Sequence, residues 1–277
     1  MSSKRKHILM YAAFDARNIQ AQSRDALHWA LFADRTKYKI TAFYKDTPDP
    51  RIDTERVRLK KLSRTKVVRI LQYWFALVSP LYSHVLVSQP APVVLTYLFL
   101  KRSLLPSRMG KRVIVSLVNR LPYERRFESI LYSRRFHQFG ISKKIVEDFR
   151  QLTGLRIPVV HLCYDVQRFH ADYDTSSRTV ACVGSMQCRK NPFVFASIAK
   201  RFPHVDFVWV GDGYYYSWIQ EKIDVEQIHN LRLIRHLDQA SLSAMLRKCA
   251  VFLFPSIHEG FPNVVVEALA SGLPVIA

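Results

Sequence analysis

Strand-length apolar runs return along this chain at intervals filled by longer amphipathic stretches, and that alternation leaves few folds open to it. HILMYAA, YKITAFY, HVLVSQ, RVIVSLV and the region around FHQFGIS read as buried strands or their ends. SRDALHWALFAD, VVLTYLFLKR and KKIVEDFRQLTG read as helices among them, with Gly154 placed where a left-handed glycine ends a helix. Strands that are apolar on successive residues need cover on both faces, and a parallel sheet flanked by helices provides it. The expected class is α/β with a mostly parallel sheet.

Residues 170–178, HADYDTSSR, interrupt the rhythm with a polar stretch, after which it restarts. TVACVGS, VDFVWVGDG, LRLIRHL, VFLFPS and the final PVIA read as strands. NPFVFASIAKRF, YYYSWIQEKI, DQASLSAMLRKCA and NVVVEALASG read as helices, with Asp238 the N-cap of the third. The pattern gives two α/β domains in tandem, 1–170 and 171–277, with a cleft expected between them.

Charge narrows the partners. The 277 residues include 42 Lys and Arg against 22 Asp and Glu, a net charge of +20. Such a balance suits polyanions: nucleic acid, anionic lipid or phosphorylated substrates. The four cysteines, Cys163, Cys182, Cys188 and Cys249, show no CxxC spacing and no histidine cluster, so they read as reduced, mostly buried thiols rather than zinc ligands. The basic then apolar start meets Asp15 and Arg17 too soon for a signal peptide. Residues 70–100 carry no Asp, Glu, Lys or Arg but are broken by Pro80, Pro90 and Pro92, so no membrane span is expected there. Asp172 and Asp174 have DxD spacing, yet they lie in the polar linker, and no metal site is expected.

The densest chemistry stands at 258–277, HEGFPNVVVEALASGLPVIA, where two glutamates lie eight positions apart. Glu259 comes after VFLFPS, near the carboxyl end of a strand, where open α/β sheets bind ligands. The next helix starts near Pro262 and Asn263, so its first amides point toward the same place and form an anion site. Glu267 lies about one turn further, roughly 6 Å along the axis at ~1.5 Å per residue. That span suits a phosphate at the amides and a ribose diol on the carboxylate, with Glu259 left for hydroxyls of a second sugar. Taken singly, Glu259 reads equally as a solvated loop carboxylate and Glu267 as a first-turn acid favoured by the helix dipole. Strand, turn and spacing together favour the ligand reading.

PSIHEGFPNVVVEALASGLPV resembles the nucleotide-sugar signature of retaining GT-B glycosyltransferases, glycosyltransferase family 4 (glycosyl transferases group 1). The resemblance implies that Glu259 contacts the donor sugar, that Gly260, Phe261, Pro262 and Asn263 contact sugar and phosphate, and that Glu267 binds the ribose. ACVGSMQCRKNP is similar to the family's glycine-then-basic segment, which puts Lys190 on the donor diphosphate with Arg189 beside it; FVWVGDG and CYDVQRFH resemble further pieces. Glu259 and Lys190 are thus the candidate catalytic residues. The chain departs from the family in having Ser185 where an arginine is common, no glycine in FDARNIQAQS, and Asn119 near the place of a histidine. Asn119 is the candidate acceptor contact, and the leaving phosphate can itself take the acceptor's proton. The implied fold is GT-B, two Rossmann-like doubly wound domains facing a cleft, with the second incomplete because relatives continue well past PVIA.

The implied activity is retaining, metal-independent transfer of a hexose from a UDP-sugar or GDP-sugar to a glycan or lipid-linked acceptor, in lipopolysaccharide, exopolysaccharide or glycolipid synthesis. No cofactor is implied. Two basic, aromatic-rich stretches, Arg56 to Val78 and Tyr123 to Arg135, lie in the acceptor half. The first reads either as an element lying on anionic lipid or as a solvated helix leading into the core. An anionic membrane surface is the expected partner in preference to nucleic acid, with a cytoplasmic protein peripheral to the inner face of the plasma membrane. The alternative reading is a weak or inactive GT-B protein that binds anionic membrane or nucleic acid.

Overall fold

The computed structural model describes residues 5–13, 21–49, 52, 54–55, 57–87, 112–117, 137–161, 168–171 and 177–277. It divides into two compact units, Met1–Cys163 and Tyr164–Ala277. The division falls earlier than the expected boundary at 170/171. Phe169 is buried in the core of the second unit, and Ser243 Oγ donates to the Arg168 carbonyl at 2.7 Å. The chain at 168–169 therefore packs with the second unit.

In the first unit, β1 (Lys6–Ala13), β2 (Tyr38–Tyr44), β3 (Val57–Lys61), β4 (His84–Val87), β5 (Arg112–Leu117) and β6 (His137–Gly140) form one sheet. Its order is β3-β2-β1-β4-β5-β6, parallel throughout. That is the Rossmann order, with its reversal between β1 and β4. Helix α1 (Ala21–Phe32) lays Ala26, Leu27 and Ala30 against Met10, Ile40, Ala42 and Val57. Helix α2 (Lys66–Val78) sends Tyr73 against Tyr11 and Phe43, with ring centroids 4.4 and 4.9 Å apart. Helix α3 (Lys143–Thr153) begins with the Ser142 hydroxyl accepting from the Ile145 amide and ends on Gly154 at φ 71°, as its sequence predicts.

The solvated helix expected within Arg56 to Val78 does not run through the whole stretch, since Val57–Lys61 pairs with β2 as the edge strand before α2 begins at Lys66. Val57 to Lys60 alternate apolar and basic residues, the period of a strand with one covered face, and the lysines suit an unpaired edge.

In the second unit, β7 (Thr179–Val183), β8 (Asp206–Val210), β9 (Leu231–Ile234), β10 (Val251–Leu253) and β11 (Val275–Ile276) form a parallel sheet in the order β11-β10-β7-β8-β9. The strand order reverses between β7 and β10. The helices are α4 (Pro192–Arg201), α5 (Tyr216–Val225), α6 (Gln239–Arg247) and α7 (Asn263–Ala270). Asp238 caps α6, its carboxylate accepting from the Ala240 and Ser241 amides at 2.8 Å. Trp209, Phe195 and Phe252 anchor the core, with the first two in edge-to-face contact.

Among the described residues no helix is long and apolar enough to cross a membrane. Cys182 and Cys249 are buried free thiols, and burial raises both pKa values, that of Cys249 to about 11. Cys188 is the exposed one among the three described cysteines. Asn119, Cys163, the Asp172 and Asp174 pair, the helix expected at 93–102 and the patch from Tyr123 to Arg135 lie outside the described residues.

Candidate nucleotide-sugar site

The strand order reverses between β7 and β10, and in open α/β sheets ligands bind beyond the carboxyl ends of the strands at such a reversal. From β7 the chain runs through Gly184, Ser185 and Met186 to a 3-10 turn at Cys188–Lys190, which carries Arg189 and Lys190. From β10 it runs through Phe254, Pro255 and Ser256 to Glu259 and on to α7.

The loop after β7 is held against the loop after β8. Gly184 N donates to Val210 O at 2.9 Å, Met186 N to Asp212 O at 2.9 Å, and Trp209 Nε1 to Gly184 O at 2.8 Å. So close an approach leaves no room for a side chain on the facing residue. A Cβ on Gly211, at φ 144°, would lie 2.1 Å from Gly184 O. This pinning sets where the basic turn begins.

Three donors converge on one carboxylate oxygen. Lys190 Nζ lies 2.6 Å from Glu259 Oε1, Arg189 Nη1 2.7 Å and Ser256 Oγ 2.6 Å. The strand-end loops are also tied by backbone, since Ile257 N donates to Arg189 O at 2.8 Å. Ser256 Oγ stands 3.0 Å from that same carbonyl, and its single proton serves one acceptor at a time. Lys190 is only 7 % exposed, with its ammonium 4.4 Å from the centre of the Phe254 ring. Burial lowers its pKa, Arg189 lowers it further, and the bond to Glu259 opposes both.

Glu267 is 2 % exposed and Asn263 is buried too; four residues apart on α7, they share one face. The helix begins at Asn263, so Glu267 lies beyond its first turn, and a buried carboxylate there is not a surface acid placed for the helix dipole. Nor is Glu259 a solvated loop carboxylate. Gly260, Phe261 and Pro262 are half-buried and carry the chain between the two glutamates.

Arg189, Lys190 and Glu259, singled out in the sequence, therefore meet directly. Phe254 and Ser256 were not singled out. A serine three residues before Glu259 is the only local signal for the second, and nothing local marks the first as a platform for a cation.

Residues 177–277 match the family described as glycosyl transferases group 1. The match takes in the whole second sheet, from β7 to β11, and with it Arg189, Lys190, Glu259 and Glu267. The chain is 33 % identical over 116 residues to the Vi polysaccharide biosynthesis protein VipC/TviE of Salmonella typhi, covering 40 % of this chain and 20 % of that protein. It is 32 % identical over 100 residues to the Escherichia coli UDP-Gal:alpha-D-GlcNAc-diphosphoundecaprenol alpha-1,3-galactosyltransferase, covering 34 % and 26 %. The chain thus spans well under half the length of these curated relatives. Among solved structures, Anabaena HepE in complex with UDP-glucose aligns over 97 % of this chain and 79 % of its own at a TM-score of 0.75, with 12 % identity. The shared fold is GT-B.

Proposed function

We propose that this chain is a glycosyltransferase that moves a hexose from a nucleoside-diphosphate sugar to a glycan or lipid-linked acceptor, with retention at the anomeric carbon and without a metal ion or other cofactor. The observation that carries the reading is the cationic pair Lys190 and Arg189, held with Glu259 at the strand-order reversal of the sheet that matches group 1 glycosyl transferases. The polysaccharide role in the name of the Salmonella protein and the UDP-sugar in the names of the other two support the substrate class. UDP is the first base to test, and GDP is the alternative.

In this reading the donor diphosphate lies against Lys190 and Arg189. The bond between the anomeric carbon and the β-phosphate oxygen breaks, and a bond from that carbon to the acceptor oxygen forms. Charge grows on the departing phosphate, where the two cations stabilise it. The acceptor's proton passes to that phosphate, so no side-chain base is required. Glu259 and the backbone from Gly260 to Asn263 orient the sugar, and Glu267 accepts from the ribose hydroxyls. Asn119 is the proposed acceptor contact.

Isothermal titration with UDP and with GDP tests this directly. Glu267→Ala removes charge-assisted hydrogen bonds worth about 1.5–3 kcal/mol, so affinity for the cognate diphosphate is expected to fall by about one to two orders of magnitude. Unchanged affinity removes Glu267 from the ribose. Failure of the unaltered protein to bind either diphosphate overturns the reading.

A further inference from the structure

Helix α2 buries one apolar face and exposes another. Ala76 and Leu77 are buried, and Tyr73 packs between Tyr11 and Phe43 of the sheet. On the opposite side Val67 is 66 % exposed, Val68 45 %, Leu71 49 % and Phe75 71 %. At about 100° per residue these four fall within about a 100° arc, one continuous stripe along the helix. Leu81, just past the helix, is 61 % exposed and lengthens the apolar surface. Trp74, beside Phe75 in the sequence, is half-buried, so the exposed ridge is formed by Val67, Leu71 and Phe75.

The chain that carries and follows the stripe is basic. Between Glu55 and Glu124 the chain contains no acidic residue at all. Lys60 and Lys61 close the edge strand β3, and Arg64 and Lys66 lead into α2 with exposed side chains. Among the described residues, Arg64 is the one cation of this group with a carboxylate at ion-pair distance, Asp46 at 3.5 Å. An apolar ridge rimmed by cations in such excess matches a surface that offers hydrocarbon below a layer of negative charge.

We infer that α2 docks this protein on an anionic bilayer, lying flat with Val67, Leu71 and Phe75 among the acyl chains and Lys61, Arg64 and Lys66 at the headgroup phosphates. The charge complementarity selects lipid over a second copy of this chain, which would bring the same cations to meet their own kind. Membrane docking goes beyond the transferase reading and does not depend on it; together the two place the acceptor unit at a membrane.

The test is sedimentation of the full chain with phosphatidylcholine vesicles containing increasing phosphatidylglycerol, with UDP titration run in parallel. The bound fraction is expected to climb with anionic lipid and to fall several-fold when Lys61, Arg64 and Lys66 become glutamine. Leu71→Ser with Phe75→Ser is expected to lower it at least tenfold, including in high salt where the charges are screened. UDP affinity stays the same in both variants, so loss of vesicle binding is separable from failure of the donor site. Both substituted apolar residues are exposed, so folding is preserved, and a circular-dichroism melt checks it. The proposal is overturned if the protein ignores anionic vesicles, or if the serine variant binds them like the unaltered chain. It also fails if the stripe proves to be a self-association surface, shown by a dimer that the serine variant disperses, or if salt-sensitive nucleic-acid binding replaces vesicle binding.

Discussion

Lys190 is where burial and chemistry meet most closely. A lysine with so little exposure is costly to keep charged, and its depressed pKa expresses that cost. Glu259 offsets it, and in the proposed donor complex the diphosphate would bring a stronger anion to the same ammonium. The sign of the pH dependence is set by that depression. As pH rises toward 10.5, the free site loses the Lys190 proton earlier than an ordinary lysine does, so diphosphate affinity is expected to decline across that alkaline window, with proton uptake on binding. Lys190→Arg keeps its charge throughout, and its affinity is expected to stay level over the same range. Titration calorimetry at stepped pH in two buffers of different ionisation enthalpy reads both effects. An equally steep decline in the arginine variant would mean that another group titrates.

Among the elements, the loop after β7 carries the most constraint, because its place is set by a contact with the loop after β8. Gly211 makes that contact possible through its missing side chain and its φ of 144°. Gly211→Ala forces a Cβ into the Gly184 carbonyl, which is backbone and has nowhere to rotate. The loss of stability is expected to exceed about 1 kcal/mol, and the displaced Gly184 shifts the basic turn at Cys188–Lys190 as well. A denaturant melt and a UDP titration check the two consequences. Gly154→Ala, at a left-handed position with open space around it, is the control: it strains the cap of α3 without touching the site.

For the whole molecule the dominant quantity is charge. A net +20 on 277 residues means that the folded chain repels itself, and salt relieves repulsion more than it weakens exposed ion pairs. The melting temperature is therefore expected to rise as NaCl goes from a few millimolar to about 0.15 M, where the Debye length is about 8 Å. Differential scanning fluorimetry across that series measures it, and a falling midpoint would show that exposed ion pairs such as Lys200 with Glu226 outweigh the repulsion.

Much of the second unit is legible from residue order alone, because its signals are local. Apolar runs of strand length, the Asp238 cap and the Glu259 to Glu267 spacing each depend on residues within a few positions of one another. Gly154 ends α3 for the same reason. The edge strand at Val57–Lys61 is hidden in a basic run, since so short a segment becomes a strand only when β2 is there to pair with it. The meeting of Arg189 with Glu259, 70 residues apart in sequence, depends on β10 lying beside β7, a pairing that no short-range pattern encodes. Periodicity shows that α2 has apolar residues to bury. Only the packed sheet decided which of them Tyr11 and Phe43 would cover, and left Val67, Leu71 and Phe75 facing water.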